Sequence, residues 1–284
     1  MNNFTPELKQ KIRQLLTECG QEAKQLGSKE FQIYEKGPDD YVTSVDRLLD
    51  QQLSEGFATL FPGDGIITEE NERSKQMFYT DNRRLWCIDP LDGTDDFIKG
   101  KPHYAVMVGL LLDNYPVAGW IYAPSQKQIY YGGPEWGLFQ ATDNETPQEL
   151  LPKEPPNPSE SFCPMMLGQK DMLKFGDAIL QNIPGAEFYC LGSFGLKVIE
   201  VIKGNVGIYL YLNGRVKLWD TTGPIALAKA AGLTCCDLNG EPISFHADVI
   251  NPDTLAHTQS IVIGWPKYVE ALRSQLQKAV EATI

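Results

Sequence analysis

An apolar run that stops abruptly on two acids does most to limit what this chain can become. Leu85-Trp86-Cys87-Ile88 leads straight into Asp89-Pro90-Leu91-Asp92-Gly93-Thr94. The apolar run reads as a buried strand. Pro90 ends it, because proline cannot donate a ladder hydrogen bond. Gly93 lets the backbone approach a ligand closely. The two acids are therefore expected at a strand tip, with free amides beside them, where α/β proteins bind their ligands. Two carboxylates three residues apart, with the Leu91 carbonyl, form an all-oxygen donor set. Such a set suits Mg²⁺, Mn²⁺ or Ca²⁺ rather than zinc or copper. The amides of Gly93 and Thr94, at the start of a helix, suit an anion. Taken alone, the string reads equally well as a capped turn whose acids satisfy local amides. It is not an EF-hand loop, whose acids alternate and end on a glutamate.

Other acids lie at comparable places. Glu69 and Glu70 follow the strand-like Gly65-Ile66-Ile67-Thr68. Asp220 follows Trp219 and precedes Thr221-Thr222-Gly223-Pro224, where an Ala-rich helix begins. Asp46 heads a helix with Leu49, Leu53 and Phe57 on one face, capped by Thr43 or Ser44. Singly, Asp46 and Asp220 are helix-start acids favoured by the macrodipole, and Glu69-Glu70 is a solvated charge pair. Gly192-Ser193-Phe194-Gly195-Leu196-Lys197 opens a further helix through Ile202, with Ser193 and Lys197 on one face. By themselves these two read as an N-cap and a solvated lysine.

Taken together, Glu69-Glu70, the Asp89 to Thr94 hexad and Trp219-Asp220 resemble the inositol monophosphatase superfamily. It includes inositol monophosphatases, fructose-1,6-bisphosphatases and 3'(2'),5'-bisphosphate nucleotidases. The resemblance runs from about Asp40 to about Gly240. It implies a layered α/β/α/β/α sandwich and a Mg²⁺-dependent, frequently Li⁺-sensitive phosphatase. Glu69, Asp89 and the Leu91 carbonyl match the ligands of a first metal, and Asp89, Asp92 and Asp220 those of a second. A weaker third would use Glu69 through water, and Mn²⁺ is an allowed substitute. Glu70 resembles the acid that supports the metal-bound water network. Thr94 and Asp46 resemble the hydroxyl–carboxylate pair that helps deprotonate the attacking water. Gly93 and Thr94, beside Asp92, would hold the phosphate.

Ser193 and Lys197 resemble the serine and lysine with which bisphosphate nucleotidases hold a nucleotide and its second phosphate. Asp92 through Phe97-Ile98-Lys99-Gly100 is likewise more nucleotidase-like than inositol-phosphatase-like. The chain departs from nucleotidases in having Asp95 where they usually carry lysine. Their arginine before the Trp-Asp has no counterpart here except the late Arg215, a candidate for the second phosphate. Inositol phosphatases tend to place Thr-Asn after the Gly-Thr, which is also missing. The leading expectation is a nucleotidase acting on 3'-phosphoadenosine 5'-phosphate, with an inositol monophosphatase or fructose-1,6-bisphosphatase-like sugar phosphatase as the alternative.

Elementary chemistry points the same way. Phosphate monoesters hydrolyse extremely slowly unaided. Two cations about 3.5–4 Å apart stabilise both the entering and leaving oxygens of an in-line displacement. A formal net charge of -12 repels a phosphorylated substrate, so bound cations have to reverse the sign locally. From other classes, a glycoside hydrolase would use paired carboxylates without metal. A non-catalytic divalent-cation-binding protein would have no use for the Asp46–Thr94 pair.

The acidic balance argues against a nucleic-acid polymer as partner. Six cysteines without a Cys-x-x-Cys suggest reduced, mostly buried thiols and a cytoplasmic location. No export signal or membrane-spanning run is recognised. Leu8, Ile12, Leu15, Cys19, Ala23 and Leu26 predict an amphipathic helix that packs on the core. Tyr104–Leu112 and Val117–Tyr122 read as adjacent strands joined by a turn. A proline-rich, charged stretch, Thr146–Pro158, suggests a boundary. Residues 1–150 would hold most metal ligands, and 151–284 the substrate-binding elements and Asp220. The chain is expected to act as a monomer or homodimer on a small phosphate ester.

Overall fold

A computed structural model describes residues 4–37, 40–143 and 145–283. The chain begins with α1 (Pro6–Gly27), capped by Thr5 and started by a proline whose missing N–H costs nothing there. Ile12, Leu16, Cys19 and Ala23 form its buried stripe. A hairpin of β1 (Ile33–Gly37) and β2 (Asp40–Thr43) leads into α2 (Ser44–Leu60). Thr43, not Ser44, is the N-cap of α2. Its side chain accepts from the amides of Val45 and Asp46, while Asp46 accepts in return from the Thr43 amide, a capping box.

β3 (Gly65–Thr68), β4 (Arg84–Asp92), β5 (Ala105–Leu112), β6 (Tyr115–Ala123), β7 (Gln128–Gly133), β8 (Gly137–Thr142) and β9 (Gln148–Glu149) form a sheet in chain order. A short helix, α3 (Thr94–Ile98), intervenes after β4. Only β3 and β4 run parallel in this sheet, so Thr68 and Ile88 are neighbours, and the acids that follow each lie at the same end of the strand pair. The turn between β5 and β6 places Asp113 and Asn114 at φ 50° and 65°, the geometry a tight hairpin favours.

β4 departs from the expected end at Asp89. It continues through Asp92, paired to β5 across a bulge between Asp89 and Asp92. Pro90 is tolerated because it sits in the bulge, where the ladder is already interrupted.

The second sheet contains β10 (Cys163–Leu167), β11 (Ala186–Cys190), β12 (Ile208–Tyr211), β13 (Thr234–Cys236) and β14 (Ile261–Gly264), in the order β11-β10-β12-β14-β13. Its helices are α4 (Gln169–Asn182), α5 (Phe194–Ile202), α6 (Leu218–Ala230) and α7 (Pro266–Glu281). α1 and α2 cover the outer face of the first sheet, α5 and α6 lie between the sheets, and α4 packs with α7 beyond the second. The result is a five-layer α/β/α/β/α sandwich.

α6 decides where the two halves meet. From Trp219 through Ala228 it is buried apart from Asp220, as a helix between two sheets must be. It lies unusually close to the first sheet. A Cβ on Gly109 would come 2.2 Å from the Gly223 nitrogen, and one on Gly119 2.2 Å from the Gly223 oxygen. Glycine on both sides of the contact brings the start of α6, and with it Asp220, over the tip of β4.

Candidate active site

Asp89, Asp92 and Asp220 meet at that tip. One carboxylate oxygen from each lies within 4.8 Å of the others. Asp89 is 1% exposed and Asp92 7%. Asp89 accepts the Leu91 amide at 2.9 Å, and Asp220 the Lys217 amide at 2.7 Å. Asp92 accepts the Ser193 hydroxyl, and the Gly195 amide at 2.9 Å. Burial, then repulsion from Glu69, Asp92 and Asp220, pushes Asp89 well above the usual carboxylate range. Burial, then Glu69 and Asp92, pushes Asp220 up to about 7. Three crowded acids of this kind are a costly arrangement without positive charge among them. Their donors are all hard oxygens at close range, so the residues present fit a divalent cation of the Mg²⁺, Mn²⁺ or Ca²⁺ kind.

Glu69 and Glu70, leaving β3, share one cation of the protein itself. The Lys36 ammonium from β1 lies 2.8 Å from Glu69 Oε1 and 2.9 Å from Glu70 Oε1. Burial would lower the Lys36 pKa, but Glu69 and Glu70 outweigh it and raise it. Burial and Glu69 bring Glu70 up to about 7. Lys36 was missed from sequence. Nothing in the Tyr34-Glu35-Lys36-Gly37 run marks a lysine that reaches 33 residues ahead.

The Asp46–Thr94 pair forms. Thr94 Oγ1 is 2.9 Å from Asp46 Oδ1 and 2.9 Å from the Leu91 carbonyl. Asp46 Oδ2 is occupied by the Thr43 hydroxyl and amide, so one carboxylate serves both the helix cap and the pair. Burial raises its pKa against those hydrogen bonds. Gly93 turns the chain into α3 at φ 92°, and a Cβ there would come 2.8 Å from the His103 carbonyl and 3.0 Å from the Ser193 nitrogen. Any other residue would be strained in conformation and crowded by backbone.

Ser193 is indeed the N-cap of α5, accepting the Leu196 amide at 3.1 Å while donating to Asp92. Lys197 is not a solvated helix lysine. It is 4% exposed, and its ammonium donates to the Gly192 carbonyl at 3.0 Å. It borders a cleft of about 780 Å³ that opens beside Gly93 and also meets Lys99, Lys101, Lys170, Tyr41 and Tyr211. Arg215 is exposed and does not line that cleft. Among the described residues no helix is long and apolar enough to cross a membrane.

Comparison with known proteins bears on the family and the fold. A 3'(2'),5'-bisphosphate nucleotidase CysQ of Aggregatibacter actinomycetemcomitans is 28% identical over 252 residues, covering 88% of this chain and 92% of its own. A protein of Aquifex aeolicus described as fructose-1,6-bisphosphatase/inositol-1-monophosphatase is 28% identical over 246 residues, covering 85% of this chain and 88% of its own. The fold superposes on the Thermotoga maritima IMPase with a TM-score of 0.77 at 21% identity, covering 95% of this chain and 97% of that one. The model of the inositol monophosphatase family matches residues 6–281. The chain therefore belongs to the inositol monophosphatase family, a family of metal-dependent phosphomonoesterases.

Proposed function

We propose that the chain hydrolyses a small phosphate monoester carrying a second anionic group, and that its preferred substrate is 3'-phosphoadenosine 5'-phosphate. The observation that carries this reading is the cleft beside Gly93. It is large enough for a nucleotide-sized leaving group, offers aromatic side chains for a base, and carries Lys99, Lys101, Lys170 and Lys197 for a second phosphate. Similarity to CysQ nucleotidases supports it. The equal similarity to the Aquifex aeolicus protein keeps a sugar-phosphate substrate as the second reading.

In this proposal Glu69, Asp89, Asp92, Asp220 and the Leu91 carbonyl hold Mg²⁺, with Mn²⁺ able to replace it and Li⁺ inhibiting. When bound, the cations supply positive charge to the phosphate oxygens and acidify water. Thr94 donates a hydrogen bond to Asp46 Oδ1, which turns a threonine lone pair toward a proton of the attacking water, so that Thr94 takes that proton as its own moves to Asp46. Asp46 is held for this by Thr43, and Glu70, paired with Lys36, would support the water network around the cations. Gly93 and Thr94 present the backbone amides that orient the phosphate. Direct attack by water is the simpler route, since no phosphorylated-enzyme motif is recognised. Cys19, Cys87, Cys163, Cys190, Cys235 and Cys236 are all free thiols, which supports work in a reducing compartment, the cytoplasm.

The test is kcat/KM with Mg²⁺ for adenosine 3',5'-bisphosphate, inositol 1-phosphate and fructose 1,6-bisphosphate, each with and without EDTA. The expected result is preference for the adenosine bisphosphate and loss of all turnover with EDTA. Preference for either of the other two would replace the substrate, and turnover that survives EDTA would replace the mechanism.

A further inference from the structure

Of the three acids at the metal-binding tip, Asp220 is the one set there by a helix rather than by β4. One flank of α6 is fixed by the close approach of Gly223 to Gly109 and Gly119. Its first turn also meets a short segment, residues 255–257, that has no part in the chemistry above. That segment runs antiparallel to residues 216–218. Lys217 and Ala256 form a bridge, Leu218 donates its amide to the Leu255 carbonyl at 3.1 Å, and His257 donates its amide to the Val216 carbonyl at 2.9 Å. Leu255 is held at φ 56°, an unfavourable conformation for a residue with a Cβ, which persists where the surroundings fix the backbone. Lys217, between the two paired residues, gives its own amide to Asp220 Oδ2 at 2.7 Å.

The side chain of His257 completes the clamp. It is 1% exposed, and its Nε2 shares a hydrogen bond of 2.8 Å with Thr221 Oγ1. Thr221 Oγ1 also lies 3.1 Å from the Lys217 carbonyl and 3.3 Å from the Leu218 carbonyl. A chain of contacts therefore runs from His257 through Thr221 to Lys217, whose amide holds Asp220. Stability alone does not explain the histidine. Its Nδ1 makes no hydrogen bond of good geometry. Burial, opposed by the Ser244 backbone, pushes the ring down to about 4, so it is neutral at pH 7. A core ring with an unmet nitrogen costs stability that an apolar side chain of similar size would not.

We propose that His257 is a positioning residue for the metal site: through Thr221 it fixes the first turn of α6, and so the Asp220 carboxylate beside Asp89 and Asp92. This deepens the proposed function and rests on it, because there Asp220 holds a cation. His257 itself touches neither cation nor substrate. A carboxylate already in place gives up little freedom on binding. Released from the clamp, the turn would be ordered by the cation, at a cost to its affinity.

The experiment follows the melting temperature of the full chain as Mg²⁺ is added without substrate, which gives an apparent Mg²⁺ affinity for each variant. Asp220→Asn sets the scale for loss of the ligand. His257→Leu should weaken Mg²⁺ about tenfold, the lower end of what groups behind a metal ligand contribute, while melting no lower than wild type in EDTA. Thr221→Val should weaken it at least as much, and adding His257→Leu to Thr221→Val should weaken it no further. His257→Gln, whose amide reaches Thr221, should restore most of the affinity. A purely structural histidine would lower the melting temperature in EDTA and leave the Mg²⁺ affinity unchanged. That result, or effects that multiply in the double variant, would overturn the assignment. Should His257→Leu fold poorly, His257→Asn decides. Its amide is too short for Thr221, so it should lose affinity that His257→Gln keeps, and equal affinity refutes the assignment. Asp220→Asn binding Mg²⁺ as tightly as wild type defeats the metal site of the proposed function. Wild-type affinity in His257→Leu beside a weakened Asp220→Asn defeats the role of His257 alone.

Discussion

The two walls of the active site carry opposite charge and are built on opposite plans. The acid wall, Asp89, Asp92 and Asp220, is crowded and inward-facing. Asp89 accepts the Leu91 backbone amide. The lysine wall carries its own partners: Lys99 pairs with Asp95 at 2.6 Å, Lys101 with Asp96 at 3.0 Å, and Lys197 donates to the Gly192 carbonyl at 3.0 Å. Charge on the first wall is left for something from outside, whereas charge on the second is arranged in advance by the fold. That difference explains how a protein of net charge -12 can serve an anionic substrate. In the proposed function the attraction comes with the cations, and the lysines select among the phosphates that arrive.

The comparison is broken most severely at Asp89. Asp89→Asn keeps shape and the acceptor for the Leu91 amide but removes a charge. Turnover should fall by at least about a hundredfold, beyond the range for groups acting from behind a ligand, with the melting temperature held or raised. Near-normal turnover in steady-state assays would remove Asp89 from the metal site. Thr94→Val is next. It deletes the hydroxyl between Asp46 and Leu91, and kcat should drop about 10²-fold, the usual worth of a proton-transfer group, with KM little changed. A change confined to KM would make Thr94 a phosphate holder only.

Acidity sharpens the contrast without mutation. Asp220 and Glu70 are each pushed up to about 7, by burial first and neighbouring carboxylates second. An acid whose folded pKa exceeds its unfolded value holds its proton more tightly when folded. Stability is therefore lost as pH rises from the ordinary carboxylate range through about 7. Chelator-treated protein should melt several degrees lower at about pH 8 than at about pH 5, and Mg²⁺ should raise the midpoint more at the higher pH. A Mg²⁺ effect independent of pH in calorimetry would mean that the acid wall is not strained. The smallest effect belongs to the exposed end of the lysine wall. Lys101→Ala breaks a half-exposed pair, so KM for the adenosine bisphosphate should rise by about fivefold at most. A larger rise would make Lys101, rather than Lys197, the principal phosphate contact.

Local pattern carried the reading a long way. The stripe of Ile12, Cys19 and Ala23, the hairpin at Asp113-Asn114 and the helix start at Ser193 each depend on side chains a few residues apart, although Leu16 rather than Leu15 is the buried leucine between Ile12 and Cys19. The acids after β3 and β4 were legible for the same reason: a strand followed by Gly-Thr has few ways to present two carboxylates. Pro90 misled, because a bulge can take a proline that a regular ladder cannot.

Sequence by itself determined the layered alternation of elements, the strand-tip acids and the caps, since hydrophobic periodicity and turn chemistry act over a few residues. Only the tertiary structure decided that Lys36 lies on Glu69 and Glu70, that Gly109, Gly119 and Gly223 let α6 set Asp220 beside Asp89, and that Lys197 is buried at the cleft wall. The last two are long-range consequences of how sheets and helices stack. Which buried charges become neighbours depends on packing distances that no local run of residues encodes.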